Sequence, residues 1–202
     1  MTRTRLVSAS IARRSRRAVA ARVAGLTLIE LMITLAVAGI VVALGAPSFL
    51  RTLARHAIAA QAEELQDAVR IGRNEAMKRS GPVVLCRTDA LNTSHCAGNG
   101  GDWQTWLLFA DVDRNGAFSA GDALVRQHVE VSNRMNVTSG AASIRFESTG
   151  IAHSDNGAAV VFVLGPKGSS SGASGSDLAL QRQVCVNPRG EVVVIAGGAT
   201  CP

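Results

Sequence analysis

The sequence predicts an α+β fold in which one long N-terminal helix packs on an antiparallel β domain. Three observations predict it. An apolar run lies near the N-terminus, an amphipathic helical stretch continues it up to Ser80-Gly81-Pro82, and a train of short strands follows, spaced too closely for crossover helices. At 202 residues the chain has room for an anchor and one domain with a genuine core.

The first segment, residues 1–25, is a basic leader. Seven of the 21 basic residues (Arg3, Arg5, Arg13, Arg14, Arg16, Arg17 and Arg22) precede Leu26, where there is no Asp or Glu, leaving 14 basic against 15 acidic residues in the remainder. The formal charge of +6 belongs to the leader and makes no case for nucleic acid over the rest.

The second segment, residues 26–50, is apolar and interrupted only by Glu30. As a helix it is long enough for a hydrocarbon core of roughly 30 Å. The arginines before it place the N-terminal side in the cytoplasm and send the rest across the membrane. A secretory signal peptide shares the basic-then-apolar pattern, and Ala43-Leu44-Gly45-Ala46 resembles its cleavage site. Glu30 fits that reading poorly, because a carboxylate at the start of a membrane helix is costly unless it has a partner and a use.

The third segment, residues 51–80, is the amphipathic half of the same helix. Ile58, Ala62, Leu65, Val69, Gly72 and Ala76 recur in steps of four and three and define a face for a packing partner. Gly72 and Ala76 let that partner come close. Glu63, Glu64, Asp67, Arg70, Arg73 and Lys78 mark the opposite face as solvated. Pro47 either kinks the helix or marks the membrane boundary. A helix from Leu26 to about Arg79 would be roughly 80 Å long.

The fourth segment, residues 81–202, is a β domain. Strands are expected at Val83–Cys86, Trp106–Phe109, Leu124–Val131, Ser143–Phe146, Val160–Leu164, Gln183–Val186 and Val192–Ile195. A Gly- and Ser-rich stretch, 165–176, reads as a flexible hairpin loop. Cys86, Cys96, Cys185 and Cys201 all follow the apolar run and lack zinc-ligand spacing, so disulfides in an oxidising compartment are expected. Of three connectivities, Cys86 with Cys96 and Cys185 with Cys201 closes the shortest loops.

Gly25-Leu26-Thr27-Leu28-Ile29-Glu30-Leu31 resembles the prepilin motif of type IV pilins and type II secretion pseudopilins. The resemblance implies cleavage after Gly25 by a prepilin peptidase and N-methylation of Leu26. It also implies that Glu30, fifth residue of the mature chain, pairs with the N-terminal amine of a neighbouring subunit in a filament. Leu26 stands where the family usually has Phe, and the leader is long. Further on, Ala46-Pro47-Ser48-Phe49, the helical run 65–79, Val83-Val84-Leu85-Cys86 and Trp106-Leu107-Leu108-Phe109-Ala110-Asp111 resemble the GspH/FimT group, with the pilus member, FimT, favoured.

Asp111, Asp113, Asn115, Ser119 and Asp122, with Gly116 at the sixth position, have the spacing of a calcium-binding EF-hand loop. A hairpin turn uses the same residue types for their backbone geometry. No other cofactor is expected. Trp103 and Trp106 can stack on bases, although in a chain this poor in aromatics they suit packing better. The resemblance raises DNA binding near the C-terminal end. Here, in place of the group's Gly-Arg-x-Arg, stands Asn187-Pro188-Arg189-Gly190-Glu191, leaving Arg182, Arg189 and Lys167 as a weak candidate patch. His56, His95, His128 and His153 are scattered surface residues, and no catalytic motif is present.

The expectation is therefore a minor pilin that is not an enzyme. Its partners are other pilins or pseudopilins, a prepilin peptidase, the inner membrane and, as a candidate, DNA. It crosses the inner membrane once, with the C-terminal domain periplasmic, and reaches the filament or cell surface on assembly. A GspH-like pseudopilin of type II secretion is the first alternative. A membrane-anchored calcium- or DNA-binding module outside any filament is the second.

Overall fold

The computed structural model describes residues 27–89, 91–99, 101–129, 131–167 and 178–202. The leader, Gly25 and Leu26 lie outside these, as does most of the loop 165–176. The chain divides into two compact units, residues 1–44 and 45–202. Its elements are α1 (Leu28–Arg79), β1 (Val83–Asp89), β2 (Asn92–Cys96), β3 (Gly101–Asp102), β4 (Trp106–Ala110), β5 (Ala123–His128), β6 (Met135–Ser139), β7 (Ser143–Phe146), β8 (Ala152–Ser154), β9 (Val160–Pro166), β10 (Arg182–Val186) and β11 (Val192–Ala196).

In the first unit Thr27 opens α1. Its hydroxyl accepts the Glu30 N–H at 3.3 Å and its carbonyl accepts the Leu31 N–H at 3.1 Å, so two first-turn donors are satisfied. From Leu28 to Leu44 every residue is exposed. Leu28, Ile29, Leu31, Met32, Ile33, Leu35, Val37 and Ile40 are among them, a surface of a kind water-soluble chains do not leave open.

Pro47 lies inside α1 and does not end it. In the second unit the expected stripe is the buried one: Ile58, Ala62, Leu65, Val69 and Ala76 are each at most 1% exposed, joined by Ala68. The helix stops through a backbone motif at Ser80, whose φ of 53° is left-handed. Gly81 N–H returns to Ala76 O at 3.2 Å and Ser80 N–H to Met77 O at 3.4 Å. This is a Schellman closure, with Ser in the position glycine usually takes and Pro82 preventing continuation.

The domain contains two antiparallel sheets. The first runs β5-β4-β1-β7-β8, with β2 also pairing β1, and the second runs β11-β10-β9-β6-β3. The pairs β1–β4, β1–β7, β9–β10 and β10–β11 keep a continuous register. The main core joins the α1 stripe to residues of both sheets: Val83, Leu85, Leu108, Ile144 and Phe146 from the first, Val137, Phe162, Leu164 and Val184 from the second. Because strand residues alternate faces, Val84 and Cys86 point the other way. With Leu107 and Phe109 they form a second cluster, packed against Cys96 and Phe118. Phe118 meets the Phe109 ring edge-on, with centroids 5.2 Å apart.

Four strands were not expected. β2 is polar, β6 has only Met135 and Val137 as buried apolar residues among Asn136, Thr138 and Ser139, and β3 and β8 hold only two and three residues. None has a self-sufficient apolar pattern, and each pairs because a longer neighbour supplies the ladder. The expected strand to Val131 ends at His128, and β9 extends to Pro166, into the stretch expected as loop.

Candidate functional site

Glu30 sits in the first turn of α1, at the start of the exposed apolar stretch. There its carboxylate favours the positive end of the helix dipole. Thr27-x-x-Glu30 is also the sequence form of a capping box, which the sequence analysis did not use. Among the described residues the Glu30 side chain has no hydrogen-bond or ion-pair partner.

The second candidate is the loop between β4 and β5. Asp111 is 1% exposed. Its carboxylate accepts the N–H of Asn115 at 3.1 Å and of Gly116 at 3.0 Å, and meets Arg145 Nη2 at 3.3 Å. Asp122 accepts the Val112 and Ser119 N–H groups, each at 2.8 Å, and the Ser119 hydroxyl at 2.9 Å. Asp113 accepts the backbone and side-chain amides of Asn115 at 3.1 and 2.6 Å. Gly116, with φ of 77°, and Arg114, with φ of 60°, make the two left-handed bends that turn these amides inward. One oxygen from each of Asp111, Asp113 and Asp122 lies within 4.8 Å of the others.

These contacts drive the carboxyls in opposite directions. Burial raises Asp111 above its ordinary value, ahead of the Gly116 N–H and Arg145, which lower it. Asp122 is also penalised by desolvation, but the N–H groups of Val112 and Ser119 and the Ser119 hydroxyl together outweigh it and bring the carboxyl down. The loop thus closes on itself through its own donors, the arrangement a turn requires.

The cysteines pair as Cys86–Cys96 and Cys185–Cys201. The first ties β2 to the face of β1 that carries the second apolar cluster. The second fastens the chain after β11 to β10.

The candidate basic residues do not form one patch. Arg182 opens β10 opposite Leu164 of β9, and Lys167 follows β9 at the same end, its N–H bonded to Arg134 O at 2.9 Å. Arg189 lies in the Asn187–Gly190 turn at the other end, beyond Val186. The two groups are separated by at least the length of β10, about 14 Å. Sequence proximity to the C-terminus conceals this, because β10 runs extended between Arg182 and Arg189.

Two other expectations need correcting. Glu64, placed on a solvated face, reaches His128 Nδ1 at 3.0 Å and Arg126 at 3.4 Å, tying α1 to β5. His128, expected at the surface, is 9% exposed and stacks on Trp106 with ring centroids 5.7 Å apart. A basic residue two positions from a histidine on a strand was the available signal, since both then share a face. Trp103 and Trp106 are fully buried, and Trp103 donates to Ala141 O at 2.8 Å. Neither is placed to stack on a base.

The family model described as Type II transport protein GspH matches residues 61–194, well over half of the chain. The prokaryotic N-terminal methylation motif matches residues 21–46. No curated protein matches the sequence. Among solved structures, the type IV minor pilin FimU of Pseudomonas aeruginosa is similar at a TM-score of 0.50 and 16% identity, over 70% of this chain and 90% of that one. The minor pseudopilin EpsH from the Type 2 Secretion System of Vibrio cholerae is similar at 0.45 and 14%, over 70% and 98%. The likeness to FimU is one of fold. With the methylation motif ahead of it and the family model spanning the domain, this chain belongs to the GspH family and has its pilin-like fold.

Proposed function

We propose that this chain is a minor pilin of a type IV pilus, cut after Gly25, methylated on Leu26, held in the inner membrane and drawn from it into a filament during pilus assembly or initiation. The observation that supports this best is the exposed apolar stretch Leu28–Leu44, whose one charge, Glu30, has no partner among the described residues. A carboxylate carried into hydrocarbon costs several kcal/mol unless an opposite charge meets it. The amine freed by cleavage of a neighbouring subunit supplies that charge.

Glu30→Ala separates this role from anchoring. It is expected to leave membrane insertion and leader removal intact and to abolish incorporation into sheared filaments. Normal incorporation of the Glu30→Ala chain would refute the role given to Glu30, whereas absence of the unsubstituted chain from sheared filaments would favour a membrane-bound module outside any filament.

The description of the family as type II transport proteins favours a second reading, a pseudopilin serving protein export. A deletion strain distinguishes the two: loss of pili supports the first, and loss of secreted protein with pili intact supports the second. A part in DNA uptake has thinner support, from Arg182 and Lys167 at one end of β9 and β10 with Arg189 at the other. Separated cations of this kind bind phosphate weakly and lose it readily to salt.

A further inference from the structure

The outer edge of β11 differs from every other sheet edge in the domain. β2 pairs β1 through a shifted register, and β3 and β8 are two and three residues long. β5 carries Arg126, held by Glu64, and has an irregular register with β4. Shortness, charge and irregularity are the usual ways an edge is kept from pairing with other chains. β11 has none of them. Its sequence Val192-Val193-Val194-Ile195-Ala196 is uncharged, regular and strongly strand-forming, and residues 197–202 carry no charged side chain.

Two hydrogen bonds identify the groups that point outward. Asn187 N–H donates to Glu191 O at 3.0 Å, and Gly197 N–H to Gln181 O at 3.0 Å. Both belong to the β10–β11 register, so the odd-numbered residues of β11 direct their amides toward β10. In an antiparallel ladder the alternate residues then face away. The N–H and C=O of Val192 and Val194, and the N–H of Ala196, therefore form an open row. Among the described residues no other strand pairs with it. The Cys185–Cys201 disulfide fastens the following chain back onto β10.

We propose that this edge is a docking strand that takes one extended, uncharged segment of another protein chain by β-augmentation. Backbone amides spaced two residues apart are matched by another strand and by no compact ligand. Side chains of an added strand alternate faces, and those on the face of Val192 and Val194, which are half-buried against the main core, would be partly desolvated, so a segment without charge is selected there. The pairing does not depend on the filament reading, since it rests only on the second unit.

The test uses the full chain in detergent micelles and the peptide acetyl-Thr-Val-Thr-Val-Thr-amide, with amide exchange read residue by residue. At a peptide concentration about ten times its Kd, the amides of Val192, Val194 and Ala196 should slow by about tenfold while those of Val193 and Ile195 stay unchanged. A peptide N-methylated at alternate residues should have no effect, and Ala196→Pro, at an exposed position with an outward N–H, should weaken the protection. Three results would overturn the proposal: no slowing, equal slowing by the N-methylated peptide, or outward amides already as slow as their paired neighbours without peptide. Protection only by a lysine-bearing analogue would also count against it.

Discussion

Gly72→Ala should destabilise the domain, the reverse of what helix propensity dictates. In an exposed helix the change gains about 1 kcal/mol. Here a Cβ built on Gly72 stands 2.8 and 2.9 Å from Cε2 and Cδ2 of Phe146 and 3.0 Å from Cδ1 of Leu108. Both neighbours are fully buried. Phe146 is held between Val83 and Ala152 on adjacent strands, so its ring cannot simply swing aside. Overpacking of this kind costs about 1–3 kcal/mol, so the net loss should be about 1 kcal/mol and at most about 2. For a chain of this size that lowers the thermal midpoint by about 2–4 °C per kcal/mol. Circular dichroism of the full chain in detergent would measure it. Phe146→Leu combined with Gly72→Ala should recover part of the loss, with a coupling of at least about 0.5 kcal/mol. A raised midpoint for Gly72→Ala, or strict additivity with Phe146→Leu, would refute the claim that this glycine sets the approach of α1 to β4 and β7.

Other outcomes follow from the same geometry. Replacing Cys185 and Cys201 by Ala should cost about 3 kcal/mol by loop entropy, and replacing Cys86 and Cys96 should cost more, since Cys86 is also fully buried in the second cluster, as denaturant melts would show. Asp122, with its folded pKa below 3.8, contributes stability that is present above that value and lost as pH falls through the depressed one, and Asp122→Asn should flatten this loss. Asp111, raised above 3.8, has the opposite sign, so its contribution is full below 3.8 and lost as pH rises through the folded value. Asp111→Asn should remove that slope in melts across roughly pH 3 to 6. Calcium at about 1 mM, the range of extracellular sites, should shift the melt of the wild-type chain by no measurable amount, because the loop carboxylates are already occupied as acceptors. A clear upward shift, lost in Asp113→Asn, would establish a calcium site instead.

The long helix and its buried stripe were legible because helical periodicity is local: Ile58, Ala62, Leu65, Val69 and Ala76 declare a face whatever covers it. The stop at Ser80-Gly81-Pro82 was legible too, although Ser80, and not Gly81, takes the left-handed residue. Apolar strands such as Trp106–Ala110 announced themselves, whereas Asn92–Cys96 could not, since a polar strand exists only where a neighbour offers a ladder, and in Met135–Ser139 the alternation rests on Met135 and Val137 alone. The Asp111 loop had its turn chemistry in plain view, but the opposite shifts of Asp111 and Asp122 depend on burial and on Arg145, 34 residues away.

What the sequence determined by itself is what short-range chemistry carries: the apolar stretch, the lone Glu30 in its first turn, the amphipathic face and the prepilin-like motif before them. The tertiary structure alone decided that the β domain holds two sheets, that Arg189 is parted from Arg182 and Lys167, that Glu64 and His128 meet, and that β11 is left as an open edge. Each of these depends on which distant segments share a ladder or a face. Strand pairing is settled by the packing of the whole core, which no local pattern encodes.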